Sequence, residues 1–119
     1  MKFKTADILS AATGILYGKI DGVYQILNYM TGDNLFTHQL PRAGRFCAPY
    51  LKKQLPWLDN IPQGEIPCEH VSMRLARIEA EHGAEHEVEK LPDGHWEHIH
   101  PFVELDNMMN AKKEGGNND

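Results

Sequence analysis

The sequence predicts a mainly α fold: a small helical domain of about four to five helices with one C-terminal β-hairpin and a disordered tail. The 119 residues have an ordinary globular composition, 41% hydrophobic and 24% charged, which suits one core. Apolar residues recur at helical spacing, and a Pro-Asp-Gly turn separates two short runs near the C-terminus. We therefore expect one globular domain over residues 1–109 and a disordered tail over residues 110–119.

The first two helices follow from apolar spacing and from residues that start or stop a helix. Thr5 predicts the N-cap of the first helix, and Gly18 predicts its C-terminal end. The apolar side chains at helical spacing between them are Ile8, Leu9, Ala12, Ile15 and Leu16. The second helix is expected to begin near Asp21 and to end at the segment Thr31-Gly32-Asp33.

A third helix is expected after Pro41, with Pro49 inside it. A proline in mid-helix removes one backbone donor, so the sequence predicts either a kink or two short helices that meet there. The apolar face of this helix consists of Ala43, Phe46, Cys47, Tyr50 and Leu51. Cys47 on this face is expected to be a small buried residue rather than a reactive thiol.

The second half of the chain begins with a proline-rich linker, in which Trp57 and Leu58 are expected to fold back onto the core. A fourth helix is predicted between Pro67 and Gly83. After this helix the helical spacing of apolar residues stops. Two short runs then flank the turn Pro92-Asp93-Gly94, which predicts the β-hairpin. A final short helix opens at Pro101, and we expect its apolar residues to close the core: Phe102, Val103 and Leu105.

Charge is divided unevenly along the chain. Residues 1–58 hold seven Lys/Arg and three Asp/Glu, a net +4, whereas residues 59–119 hold five and fourteen, a net −9. An acidic half of this size is unfavourable for general binding to nucleic-acid phosphates. It favours a charged protein partner or a homo-oligomer, and it is equally typical of a solvated surface.

Two further features concern the compartment. No run of the sequence approaches the roughly 20 apolar residues of a membrane helix, and the start MKFKTADIL has no apolar signal region. The two cysteines, Cys47 and Cys68, are too few for a disulfide framework. These features predict a cytoplasmic protein without a membrane partner.

Histidines are frequent near the C-terminus, at positions 82, 86, 95, 98 and 100. In the hairpin register that the Pro-Asp-Gly turn sets, His86, His98 and His100 would share one face. Three imidazoles on one face could bind zinc or another transition metal. The same register places Glu89 opposite Glu97, and no zinc signature is present. We therefore expect no cofactor and keep a metal-binding protein or enzyme as an alternative.

The sequence carries no recognisable catalytic motif. Ser10 and Ser72 are the two serines, and both lie within predicted helices and outside a G-x-S-x-G turn. We therefore expect no enzymatic activity. A basic stripe keeps a small nucleic-acid-binding regulator as a further alternative, although the aromatic residues of that helix lie on its core side. The stripe consists of Arg42, Arg45, Lys52 and Lys53.

Two motifs resemble small proteins encoded by tailed bacteriophages and prophages: ILS-x-x-TG at Ile8–Gly14 and MTGD-x-x-FTHQLPR at Met30–Arg42. The closing stretch HWEHIHPFVEL at His95–Leu105 has a weaker similarity to the same proteins. The resemblance implies no enzymatic activity and assigns no catalytic residue. It implies a setting in which small accessory proteins often act by blocking a host protein.

These features predict a phage or prophage accessory protein that acts by non-catalytic protein–protein binding in the host cytoplasm. One candidate partner is a nucleic-acid-processing defence complex, whose nuclease the protein would inhibit by placing its glutamates in a basic channel. The residues predicted to bind the partner are Glu85, Glu87, Glu89, Glu97, Phe36, His38 and Arg42.

The segment FTHQLPR is the candidate recognition loop, because it is polar and aromatic and lies between two predicted helices. The alternative is an internal role. In that case Phe36 and Leu40 would fill the core, and His38 and Gln39 would cap helix ends by hydrogen bonds.

Overall fold

Helices dominate the computed structural model, which describes residues 1–61, 66–92 and 94–117. Over these residues the chain forms five α-helices and one two-stranded antiparallel sheet, which confirms the mainly α class. The elements are β1 (Lys2–Lys4), α1 (Thr5–Thr13), α2 (Ile20–Thr31), α3 (Leu40–Gln54), α4 (Cys68–His82), β2 (Glu85–Glu87) and α5 (Pro101–Asn117). Short 3₁₀ turns at Thr37–Gln39 and Pro56–Asn60 precede and follow α3. None of the helices described combines the length and the hydropathy that a bilayer crossing requires.

The core lies where α1, α2 and α3 pack against one another. Its fully buried large side chains include Ile8, Leu9, Ile26, Leu27, Met30 and Leu51. Burial of each such side chain stabilises the fold by about 1.5–3 kcal/mol. Cys47 is fully buried on the same side of α3, which confirms its predicted place in the core.

The first helix ends earlier than its apolar pattern indicates. Gly14 adopts a left-handed conformation with φ +78°, and its N–H donates to the Ser10 carbonyl, so the chain leaves the helix there. The predicted end at Gly18 is therefore wrong. Leu16 consequently lies in the loop between α1 and α2, where half of its surface is exposed.

Thr5 connects the beginning of α1 to the turn that follows α4. The predicted N-cap at Thr5 is wrong, because Lys4 occupies that position and makes no side-chain cap. Thr5 is instead fully buried, and its hydroxyl donates to the Gly83 carbonyl at 2.6 Å. Its N–H donates to the Ala84 carbonyl at 2.8 Å. Thr5 therefore stabilises a contact between distant parts of the chain.

The third helix continues through Pro49, so the alternative of two short helices is wrong. Pro49 lies on the exposed side of α3, away from the core. Beyond α3 the chain folds back as predicted: Leu58 is buried, and the Trp57 ring stacks on His82 with ring centres 4.3 Å apart. The bounds of α4, Cys68–His82, confirm the fourth predicted helix.

The sheet joins the beginning of the chain to residues 85–87. Its register pairs Lys2 with Glu87, Phe3 with His86, and Lys4 with Glu85. The predicted hairpin partner is therefore wrong, since residues 95–100 form no strand in the described part of the chain. Two pairs of opposite charge stabilise the observed register, whereas the hairpin would have opposed two glutamates. Asp93 of the predicted turn lies outside the described residues.

The last helix begins at Pro101, as predicted, but the side chain that it buries against the rest of the protein is not one of the predicted apolar residues. Phe102 is 69% exposed, whereas Glu104 is only 5% exposed. The expectation that Phe102, Val103 and Leu105 close the core is wrong, because α5 meets the body through Glu104, which pairs with Arg42. The helix includes most of the predicted tail, residues 110–119; side chains from 111 onward and residues 118–119 lie outside the described residues.

Candidate functional site

The C-terminal strap, defined here as residues 95–100, crosses the beginning of α3 and leads into α5. Gln39 and Arg42 hold its backbone, and His38 holds the first residue of α5. His38 Nε2 donates to the carbonyl of Pro101 at 2.7 Å, and Gln39 Nε2 donates to that of Ile99 at 3.0 Å. The Arg42 guanidinium donates to the carbonyl of Glu97 at 3.1 Å. The predicted recognition loop is therefore the surface on which the strap lies.

A buried ion pair lies under the strap. The guanidinium of Arg42 pairs with the carboxylate of Glu104, which α5 carries into the interior. The same guanidinium lies 4.2 Å from the centre of the Trp96 ring, a cation–π arrangement. Arg42 was predicted to contact a partner, but its charge is used within the chain.

Asp33 holds the strap from the end of α2. Its Oδ2 accepts from Trp96 Nε1 at 3.0 Å and from His98 Nδ1 at 2.8 Å. Burial alone would raise the pKa of Asp33, but these two bonds and the N–H of Asn34 stabilise the carboxylate, so the pKa is lowered. Asp33 therefore holds the strap best when it is ionised.

The apolar ridge, defined as Phe36, Phe102, Leu105 and Met109, is a group of exposed apolar side chains beside these contacts. Its members on α5 lie on one face, since they are three and four residues apart. The exposed fractions are 45% for Phe36 and 62% for Met109. The Phe36 and Phe102 rings meet edge to face, with centres 6.3 Å apart. Phe36 therefore lies outside the core, whereas Leu40 lies within it.

The four predicted acidic residues do not form one surface. Glu85 and Glu87 lie on β2 opposite Lys4 and Lys2, and Glu87 also pairs with the N-terminal amino group of Met1. These pairs join the basic and acidic halves of the chain. The net −9 of the second half is therefore partly neutralised within the molecule.

The other two predicted glutamates lie near opposite ends of α3. The Glu89 backbone exchanges two hydrogen bonds with Gln54, whereas the Glu97 carbonyl is bound by Arg42. Gln54 and Arg42 are twelve residues apart in this helix, about 18 Å. The structure thus brings together Phe36, His38, Arg42 and Glu97, and it places Glu85, Glu87 and Glu89 elsewhere.

The histidines predicted to bind metal have separate contacts. His86 lies on β2 beside Trp57, and His98 donates to Asp33. His100 Nδ1 accepts from the backbone N–H of Phe102 at 3.2 Å. Their shared face depended on the hairpin register, which is not formed. Among the residues that the structure describes, no three His, Cys, Asp or Glu side chains lie close enough to hold a metal ion.

Three residues important for this site were missed by the sequence reasoning: Asp33, Trp96 and Glu104. Asp33 was predicted only as part of the segment that ends the second helix, and no role was predicted for Trp96. The signal for Glu104 was its position between the apolar neighbours Val103 and Leu105. An acid in that position is buried only when a cation from elsewhere meets it.

Comparison with known proteins finds a family match over the first half of the chain. No curated protein and no solved structure matches this sequence. Residues 3–61 match a family described as a domain of unknown function, DUF7736. The match runs from β1 to the turn at Pro56–Asn60 and includes Asp33, Phe36 and Arg42; it ends before α4, the strap and α5. The N-terminal half is thus what this family shares with the chain.

Proposed function

We propose that this is a phage or prophage accessory protein, a non-catalytic binding module whose apolar ridge engages a host protein. One observation carries the proposal: Phe36, Phe102 and Leu105 are exposed beside a strap that side-chain hydrogen bonds from Gln39 and Asp33 hold in place. Exposed apolar patches of this kind are typical of protein-binding surfaces, and aromatic side chains often dominate their binding energy.

The surrounding charges favour a mainly apolar contact. Arg42 is paired with Glu104 within the chain, and Glu85 and Glu87 lie on β2, so these charges do not form a surface around the ridge. Glu97 has an exposed side chain beside Arg42, and we assign it to the polar rim of the interface. The partner we favour is a component of a nucleic-acid-processing defence complex, which the bound protein would inhibit.

The test begins with the full chain immobilised and exposed to host lysate at low and at moderate salt. A captured protein is identified by mass spectrometry and purified, and its Kd is then measured against the wild type and two variants. Phe102→Ser removes the most exposed aromatic side chain of the ridge. Met73→Ser is the matched control, because Met73 is 70% exposed and lies on α4, which contributes no residue to the ridge.

We expect Phe102→Ser to weaken binding by about tenfold or more, as loss of an interface hot spot does. Met73→Ser should leave the Kd unchanged, and moderate salt should weaken binding only slightly, because the contact is apolar. Recovery of no specific protein at either salt would contradict the proposal. Equal weakening by the two serine variants would contradict it as well.

A further inference from the structure

A cleft opens between the C-terminal end of α1, the beginning of α2 and the outer face of α3. Its volume is about 870 Å³, within the range of sites that hold small ligands. The floor is made of small residues, which include Ala11, Ala12, Gly44 and Ala48. A Cβ atom on Gly44 would lie 3.5 Å from the Ala11 carbonyl oxygen, so α1 and α3 approach closely there. Because the side chains at this contact are so small, they leave the cleft open above them.

Apolar side chains form one wall of the cleft. Leu16 is 50% exposed and Ile20 is 46% exposed, and both lie beside the opening. Val23 and Leu27 continue this wall towards the core. Burial of Leu16 and Ile20 by a ligand would be favourable, because it removes apolar surface from water. The wall therefore suits the hydrocarbon part of a ligand.

The opposite wall carries positive charge. Arg45 and Lys52 both line the cleft from α3, each about one turn from the intervening Ala48 and Pro49. The two cations are seven positions apart, so they lie on one face of the helix. Neither forms an ion pair with a described residue, and no Asp or Glu is among the described residues that line the cleft. This charge is complementary to an anionic group.

We propose that the cleft binds a free aliphatic carboxylate with a single hydrocarbon chain. The chain lies over the small-residue floor against Leu16 and Ile20, and the carboxylate lies above Ala48 and Pro49. Arg45 meets the carboxylate with the paired N–H groups of its guanidinium, and Lys52 adds a second cation from about two turns farther along α3. Every residue that lines the cleft lies within the stretch 3–61 that matches the family, whereas most of the apolar ridge lies outside it. The proposal is therefore independent of the host-protein contact.

The test is calorimetric titration of the full chain with decanoate below its micellar concentration. Decanol carries the same chain without the charge, and acetate carries the charge without the chain. Vesicles of phosphatidylglycerol test whether the positive wall instead recognises an anionic membrane surface. We expect decanoate to bind with saturable heat, and decanol, acetate and the vesicles to bind at least about tenfold more weakly, since each lacks one of the two interactions or cannot enter the cleft.

Variants locate the site. Arg45→Gln and Lys52→Gln should each weaken decanoate binding, Arg45→Gln by about tenfold. Lys53→Gln is the matched control, because Lys53 is exposed, adjacent in sequence and not part of the cleft. Ala48→Phe should abolish binding by filling the floor. Leu16→Ser should also weaken it, and because Leu16 is half exposed this variant keeps the core intact.

Absence of saturable decanoate binding would overturn the proposal, and so would decanol binding as tightly as decanoate. Equal loss in Lys52→Gln and Lys53→Gln would show only general attraction to a cationic surface and would overturn it too. Vesicle binding without binding of free decanoate would replace it with a membrane contact. None of these results depends on whether the apolar ridge binds a host protein.

Discussion

Arg42 and Glu104 form an ion pair that joins the beginning of α3 to the first turn of α5 across sixty-two positions of sequence. Glu104 is almost wholly buried, whereas the Arg42 side chain keeps 29% of its surface exposed. The pair lies under the Trp96 ring and beside the strap carbonyl of Glu97. It determines which face of α5 turns inward, and so which apolar side chains stay outside.

Glu104→Gln is expected to destabilise the protein by about 3 kcal/mol, because removal of one member of a buried pair leaves the other charge uncompensated. The free energy of unfolding in urea measures the effect. Glu97→Gln is the control, since the Glu97 side chain is exposed and only its carbonyl is bound. If Glu104→Gln destabilises the protein no more than the control does, the Arg42–Glu104 pair is not required for stability and the prediction is wrong. Replacement of both Arg42 and Glu104 by methionine should cost less than Glu104→Gln alone.

The stability contributed by Asp33 is expected to depend on pH. Its folded pKa is lowered from the ordinary value of 3.8, so the contribution is complete at pH values well above 3.8 and is lost as the pH falls through the folded pKa. Urea unfolding between neutral and strongly acidic pH measures this loss. Asp33→Asn should unfold more easily at neutral pH and lose less stability on acidification. Asp59→Asn, at an exposed position, should follow the wild-type curve; an identical curve for Asp33→Asn would contradict the prediction.

Gly22 is expected to resist substitution because of Asp7. A Cβ atom on Gly22 would lie 1.9 Å from Asp7 Oδ1 and 2.3 Å from its Cγ, so Gly22→Ala must displace a half-buried carboxylate. We expect a loss of about 1–3 kcal/mol in the free energy of unfolding.

Gly44→Ala is the matched control for Gly22→Ala. The added methyl group would make an ordinary contact of 3.5 Å with the Ala11 carbonyl oxygen, and alanine favours the helix. This variant should gain up to about 1 kcal/mol. Asp7→Ala should reduce the cost of Gly22→Ala, since the displaced group is then absent. An unchanged cost in that double variant would show that Asp7 is not the obstacle.

Cys47 is expected to be chemically inert in the folded protein. Burial raises the pKa of its thiol to about 12, so the reactive thiolate is scarce at neutral pH and is inaccessible as well. Iodoacetamide labelling followed by peptide mass spectrometry should find the Cys47 peptide unmodified in buffer and modified in urea. Equal labelling rates in the two conditions would contradict its place in the core.

Sequence reasoning located helices well because helix signals are local. The end of α2 at Gly32, the bounds of α4 and the beginning of α5 at Pro101 each depend on a residue whose backbone preference acts over a single turn. At the end of α1, a helix-ending glycine and a continuing apolar pattern gave opposite predictions, and the sequence did not show which of them would prevail. Gly14 ended α1 although Ile15 and Leu16 continued its apolar spacing, because the left-handed conformation at Gly14 satisfies the last carbonyls.

The sequence by itself determined the helical class, the order of the helices and the burial of Cys47, since periodicity and composition carry that information. Only the tertiary structure decided that β2 pairs with β1, that Asp33 and Arg42 hold the strap, and that Glu104 rather than Phe102 turns inward. These contacts join residues more than fifty positions apart. Their formation depends on which distant surfaces meet during packing, and the neighbours of a residue in sequence do not encode that choice.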